Sequence, residues 1–150
     1  MFPNPVMFPT NPASCRVSCV PEVGPLKILV TVKLVPDTNA DKRIDPATKR
    51  LVRTGVETVL NPFDEYAIEA ALQLKEKLAD GSTVTVVSMT PATGKEIVRK
   101  ALAMGADDAV MISDDTLGGC DLWGTSVALA AAIKPLGADL IITGTQSTDA

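Results

Sequence analysis

Four short runs rich in β-branched residues, each separated from the next by room for a helix or a hairpin, constrain this chain more than any other feature. They are Leu26–Val35, Thr83–Met89, Ala109–Ser113 and Asp139–Gly144. Near-continuous apolar runs suit strands buried on both faces, whereas a strand with one wet face alternates. Helix signals lie between the runs. Asn61-Pro62-Phe63-Asp64 reads as a helix start, with Asn as N-cap, Pro at the first helical position and Asp64 against the positive end of the dipole. Its expected core stripe is Ala67, Ala70, Ala71, Leu74 and Leu78. A second helix is expected to open at Thr90-Pro91, bury Ile97, Ala101 and Leu102 or Met104, and stop at Gly105. A third runs from about Asp121 to Leu136 and stops at Gly137. Gly-Ala-Asp follows both of these helices, at 105–107 and 137–139, and a strand follows each time, so the αβ unit repeats.

Strands and helices alternating at this length imply an α/β fold: a mostly parallel sheet with helices on both faces, joined by right-handed crossovers. Residues 43–54 differ, because Ile44 and Leu51-Val52 flank a Pro-Ala-Thr-Lys turn, the pattern of a short β-hairpin insertion. The length of 150 residues suits one domain. Residues 1–25 hold six prolines and are expected to be a disordered leader. That leader lacks the apolar core of a secretory signal and the Arg-rich helix of a transit peptide, so a mis-called start upstream of Leu26 is the expectation. Ala150 directly follows an apolar run and a polar turn, so residues 26–150 are expected to be the N-terminal part of a truncated α/β domain.

Composition removes whole classes of chemistry. There is no histidine, so Ser-His-Asp, Cys-His and His-metal arrangements are excluded within this chain. Cys15, Cys19 and Cys120 form no CxxC pair and suggest a reducing compartment without a disulfide framework. A net charge of −4 with 14 scattered Lys and Arg offers no footprint for nucleic acid or an anionic membrane. No apolar run approaches the roughly 18 residues of a membrane span.

In open parallel α/β sheets, ligands bind outside the carboxyl ends of the strands, where loops meet helix N-termini. Those ends are Thr31–Lys33, Asn61–Asp64, Met89-Thr90, Ser113–Asp115 and Gly144–Ala150. The last carries five successive polar side chains after a glycine, more than a chain reversal needs, and is the best internal pointer to a ligand site. Each position also has a plain structural reading. Asn61 can be a helix cap, Lys33 a solvated strand-end charge, and Met89 core packing. Their convergence on one sheet edge favours a site. No GxGxxG follows the first strand and no GxxxxGK[ST] occurs, which disfavours a dinucleotide dehydrogenase and a P-loop. Gly118-Gly119-Cys120-Asp121 lacks both serines of SGGxDS and reads as a loop with a helix cap. Asp107-Asp108 and Asp114-Asp115 read as caps or solvated charges, not as a metal site.

Lys27–Lys33, Val35-Pro36-Asp37-Thr38, Asn61-Pro62-Phe63-Asp64-Glu65, the ALAMGAD segment Ala101–Asp107 and Gly144–Asp149 occur in an order and spacing that resemble the beta subunit of electron-transfer flavoproteins, including nitrogen-fixation-associated relatives. The resemblance covers about residues 26–150. It implies a fold similar to adenine-nucleotide α-hydrolase-like (Rossmann-like) domains and a heterodimer with an alpha subunit. The implied ligand is AMP, or a second FAD in electron-bifurcating members, with the shared redox-active FAD mainly on the alpha subunit. Dehydrogenases and a quinone reductase or other acceptor are the implied partners. The implied location is the bacterial cytoplasm, or the mitochondrial matrix in a eukaryote. The family's nucleotide contacts carry over to Thr31, Val32, Lys33, Asn61, Pro62, Phe63, Asp64 and Met89, and to Gly144, Thr145, Gln146, Ser147, Thr148, Asp149 and Ala150. The adenine is then expected near the end of the first strand and Met89, with the phosphate on the amides of the 144–150 loop and Asn61 fixing the loop geometry and touching the ribose. No residue of this chain is implied to be catalytic or to bind a metal.

This chain departs from the family pattern in two ways. The subunit normally continues well past Ala150, and a small glycine or an acid usually follows Asp149. The Val35-Pro36-Asp37-Thr38 pattern leans toward the bifurcating side. Two alternatives share the fold: a stand-alone adenine-nucleotide-binding stress or signalling module, and a nucleotide α-hydrolase, which the missing SGGxDS disfavours.

Overall fold

A computed structural model describes residues 24–37, 39–40, 43–49, 51–52, 55–78 and 81–149. The expected leader lies outside the described residues except for Gly24 and Pro25, which are exposed and in no regular element. The main sheet contains β1 (Lys27–Val32), β4 (Thr83–Met89), β5 (Asp108–Ile112) and β6 (Leu140–Thr143), all parallel, in the order β5-β4-β1-β6. Three helices connect them: α1 (Pro62–Leu78), α2 (Lys95–Ala103) and α3 (Leu122–Ile133). Two short strands, β2 (Leu34–Pro36) and β3 (Thr58–Leu60), pair antiparallel in a separate sheet. The expected α/β fold with a mostly parallel sheet is therefore the observed one.

The single long strand expected over Leu26–Val35 is two strands that part at Lys33. Both backbone groups of Lys33 turn aside to the start of α1. Its N–H donates to Asp64 Oδ2 at 2.8 Å, and its carbonyl accepts from the Asn61 N–H at 3.0 Å. β2 is thereby diverted to β3, an element not anticipated from the sequence.

α1 and α2 pack on one face of the sheet. The core there joins Ile28, Val30 and Val32 of β1 and Val84 and Val86 of β4 to Ala67, Ile68 and Ala71 of α1 and Ile97 and Ala101 of α2. The buried positions of α1 are Asp64, Ala67, Ile68 and Ala71, a clean i, i+3, i+4, i+7 stripe. Ala70, expected in that stripe, is exposed, and Ile68 occupies the core instead. At the end of α2 the sequence alternatives resolve to Met104, which packs against the core, while Leu102 is 40% exposed. That helix does not begin on a Thr90 cap: a 3₁₀ turn, Ala92–Gly94, precedes it and no side chain caps either start. Thr90 instead presses its buried side chain against Gly94.

β1 to β4 and β4 to β5 step in one direction across the sheet, whereas β5 to β6 crosses back past β4 and β1. Right-handed crossovers therefore set α3 on the opposite face from α1 and α2. Leu136, just after α3, lines a shallow depression with Leu29, Thr83 and Thr85 near the amino ends of the strands, consistent with that placement. α3 starts as expected, with Asp121 accepting from the Gly124 N–H at 2.8 Å, and a 3₁₀ turn carries it to Gly137 at φ 64°.

The repeated Gly-Ala-Asp has a common structural use. Gly105 at φ 116° and Gly137 at φ 64° turn the chain out of the preceding helix. Each Asp then clamps the strand beside the one it introduces. Asp107 donates its N–H to the Val84 carbonyl at 2.9 Å and accepts from the Val84 N–H at 2.7 Å. Asp139 does the same to Lys27, at 3.0 and 2.9 Å. The two aspartates set the parallel register of β5 on β4 and β6 on β1. Of the 43–54 hairpin, Ile44 and Leu51 form the antiparallel bridge, and Asp45 closes the turn by accepting from the Ala47 N–H and the Thr48 hydroxyl, both at 2.8 Å.

Candidate functional site

The strand order reverses beside β1, because its two neighbours, β4 and β6, are reached by crossovers running in opposite directions. Ligands bind at such a reversal in open α/β sheets, and here the loops after β1 and β6 meet across it, with Lys33–Asp149 and Asn61–Gln146 hydrogen bonds closing the crevice between them. The polar residues expected from the sequence gather there.

Asn61 lies at the centre of this cluster. It precedes α1, where a cap would sit, and is 1% exposed. Its side chain reaches the loop after β6 across 85 residues of sequence: Nδ2 donates to the Gln146 carbonyl at 2.9 Å, and Oδ1 accepts from the Thr148 N–H at 3.3 Å. The cap reading is therefore incomplete, because the amide ties two backbone points of the polar loop to the helix start. Asp64, in the first turn of α1, is also buried. Burial pushes its carboxyl above the ordinary value of 3.8, against the Lys33 N–H, the Asn61 side chain and the Lys33 charge, which favour ionisation.

Gly144 opens the loop directly over Asp64. A Cβ on Gly144 would overlap Asp64 Oδ1 unless that carboxylate moved, so a glycine is favoured by close approach and not by backbone conformation. Lys33 closes the arrangement from the other side, with Nζ donating to Asp149 Oδ1 at 2.6 Å and Ser147 Oγ at 3.1 Å. Ser147 Oγ also donates to Asp149 Oδ1. Lys33 is thus more than a strand-end charge.

The structure brings together Lys33, Asn61, Asp64, Gly144, Gln146, Ser147, Thr148 and Asp149. Thr31 and Met89 stand at the same edge without such bonds among the described residues. Thr31 pairs with Val87 and Thr143, and the Val32–Ser88 pairing puts Met89 abreast of Lys33. The side chain of Val32 points into the core, so only its backbone is available to a ligand. Pro62 and Phe63 are partly exposed at the start of α1, and Thr145 and Gln146 are exposed on the loop. Ala150 lies outside the described residues. Sequence reasoning passed over Ser88, whose hydroxyl, like that of Thr90, is buried without a hydrogen-bond partner among the described residues. A hydroxyl two residues from another at a strand's carboxyl end was the available signal.

The acidic pairs serve structure. Asp114 caps a 3₁₀ turn by accepting from the Thr116 N–H at 2.8 Å and the Thr116 hydroxyl at 2.7 Å, and these bonds hold its carboxyl below the ordinary range. Asp107 is lowered by Lys75, at 2.5 Å, and by the Val84 N–H.

A parallel sheet with a reversal in strand order and a polar crevice at that reversal places this chain among the Rossmann-like α/β domains. Comparison with known proteins narrows the class. A family model described as the electron transfer flavoprotein domain matches residues 48–150. The chain is 47% identical over 131 residues to the electron transfer flavoprotein subunit beta of Megasphaera elsdenii, covering 83% of this chain and 48% of that protein. It is 44% identical over 124 residues to the corresponding subunit of Thermoanaerobacterium thermosaccharolyticum, covering 83% and 46%. With the protein FixA of Azotobacter vinelandii it shares 43% identity over 125 residues, covering 81% and 43%. This chain belongs to the electron transfer flavoprotein family and is similar to its beta subunits. It spans about half the length of the curated relatives it matches. Among the described residues, no helix is long and apolar enough to cross a membrane.

Proposed function

We propose that this chain forms the nucleotide-binding edge of an electron-transfer flavoprotein beta subunit. The ligand is AMP or a second FAD, and the subunit acts as a heterodimer with an alpha subunit, passing electrons from dehydrogenases to a quinone reductase or other acceptor in the cytoplasm. The observation that carries this reading is the tethered loop. Asn61, Asp64 and Lys33, from the ends of β1 and the start of α1, all engage the glycine-led segment 144–149 at the reversal in strand order. The donor set fits a nucleotide of low phosphate charge. The Lys33 ammonium, with a third N–H beyond its bonds to Asp149 and Ser147, supplies a donor, Thr145 and Gln146 are exposed on the loop, and Thr31 and Met89 border the space a flat ring would take. A triphosphate fits less well, because Asp149 already matches the charge of Lys33 and Asp64 lies beside it.

Bound AMP stabilises the folded subunit by mass action, whereas a bound flavin supplies electron transfer. This chain's residues orient the ligand and move no proton or electron themselves, so it is a carrier subunit and not a catalyst. To test the reading, the chain is co-expressed with an electron-transfer flavoprotein alpha subunit, the complex is purified, and its nucleotides are extracted and separated. The expected result is AMP, or flavin beyond one per heterodimer. A complex that forms but yields neither would contradict it.

A further inference from the structure

Lys33 and Asp149 face the crevice unequally. The Asp149 side chain is 0% exposed, whereas that of Lys33 is 45% exposed. Lys33 has three N–H donors, two of which are directed at Asp149 Oδ1 (2.6 Å) and Ser147 Oγ (3.1 Å). The ammonium is therefore open to an incoming anion on one side while an internal anion occupies the other. We propose that Asp149 is a built-in competitor: its carboxylate holds Lys33 in the free chain, and a nucleotide phosphate must take Lys33 from it in order to bind.

The proposal rests on the nucleotide-binding reading above and adds a regulatory step to it. A buried carboxylate needs a compensating charge, and Lys33 provides it. A phosphate held by the same ammonium adds negative charge within a few ångströms of that carboxylate, and the two like charges repel. The exchange needs only side chains to move. Asn61 fastens the loop backbone on both sides of Ser147, at the Gln146 carbonyl and the Thr148 N–H, so the loop stays in place when the ion pair opens. Removing the charge of Asp149 while keeping its size then strengthens phosphate binding, and Lys33 is required for the gain.

The test measures AMP, FAD and adenosine binding to the full chain by calorimetry, for the wild type, Asp149→Asn, Lys33→Met and the double variant. Asp149→Ser serves as a second charge-removing variant should Asp149→Asn fail to fold. The expected result is AMP binding about tenfold tighter without the Asp149 charge, equivalent to about 1.4 kcal/mol, with adenosine unchanged and the gain lost in the double variant. AMP bound only by the charge-removed variants supports the proposal equally. AMP binding unchanged or weaker, with adenosine unchanged, overturns the proposal alone. AMP and adenosine weakened together also overturn it, because Asp149 then holds the loop and does not compete. Neither AMP nor FAD bound by any of the proteins overturns the nucleotide reading and the proposal with it.

Discussion

Gly144→Ala tests the closest contact in the crevice. The added Cβ would overlap Asp64 Oδ1, and Asp64 Cγ and the Asp64 backbone nitrogen, both at 3.3 Å, are also tighter than ordinary contact and must give slightly. Two relaxations are open. The carboxylate can swing away from the Lys33 N–H, which gives up a hydrogen bond to a charged acceptor, about 1.5–3 kcal/mol. Alternatively the loop recoils, which loses the two Asn61 bonds at about 1 kcal/mol each and a half-exposed ion pair that adds at most about 1 kcal/mol. Both routes converge on a loss of about 2 kcal/mol, or about 4–8 °C in Tm for a chain of this size. Thermal and urea unfolding of the variant measure it directly. The cause is isolated by repeating the substitution in an Asp64→Ala background, where the overlapping oxygen is gone. The second cost is expected to fall below about 0.5 kcal/mol, leaving a coupling of well over 1 kcal/mol. An equal cost in both backgrounds would show that the clash lies elsewhere, and the geometry assigned to Gly144 and Asp64 would be wrong.

Asp64 also gives a pH dependence with a definite sign. Because burial raises its folded value above 3.8, its contribution is most favourable below that value and is lost as pH rises through the raised folded value. Asp64→Asn keeps an acceptor for the Lys33 N–H without a charge, so it is expected to be more stable than the wild type at pH 7. That advantage should shrink toward pH 4 in urea titrations at each pH, and an advantage that grows on acidification would contradict the assignment. The strand clamps predict a ranking. Asp107→Ala frees the part-buried Val84 N–H and is expected to cost about 1–2 kcal/mol, more than Asp139→Ala, whose Lys27 partner is exposed; the reverse order by denaturant midpoint would refute it. Asp107 also has the opposite pH sign to Asp64. Its value is lowered, so its stabilisation is present above 3.8 and is lost as pH falls through the folded value, a dependence that Asp107→Asn should flatten.

What the sequence made legible was local. The Thr83–Met89 strand is legible at its observed limits, because seven residues that are all β-branched or apolar except Ser88, set between turn signals, leave little alternative. Gly105 and Gly137 were read as helix stops because positive φ is cheap only for glycine. What escaped was long-range. The run through Lys33 is continuous as a hydrophobic pattern, and only bonds to Asn61 and Asp64, about 30 residues away, break it into two strands. The choice of Ile68 over Ala70 was obscured because an alanine-rich helix presents small residues on several faces, and packing against the sheet decides which is buried. At the crevice, the loop 144–149 and Asn61 are legible by type and position, and the family resemblance implies that Asn61 fixes the loop geometry, but its partners, the Gln146 carbonyl and the Thr148 N–H, are not legible. Helix capping satisfies the same residue at the same place, so a cap and a long-range tether look alike in sequence.

The most direct measurement of the central claim is where AMP lands. In a titration of the isotope-labelled full chain followed by amide NMR, the largest shifts are expected at 31–33, 61–64, 89 and 144–149, and Asn61→Ala is expected to weaken them together. Shifts centred instead on the opposite end of the sheet, around Leu29 and Leu136, with the 144–149 amides unmoved, would contradict a nucleotide site at the reversal in strand order.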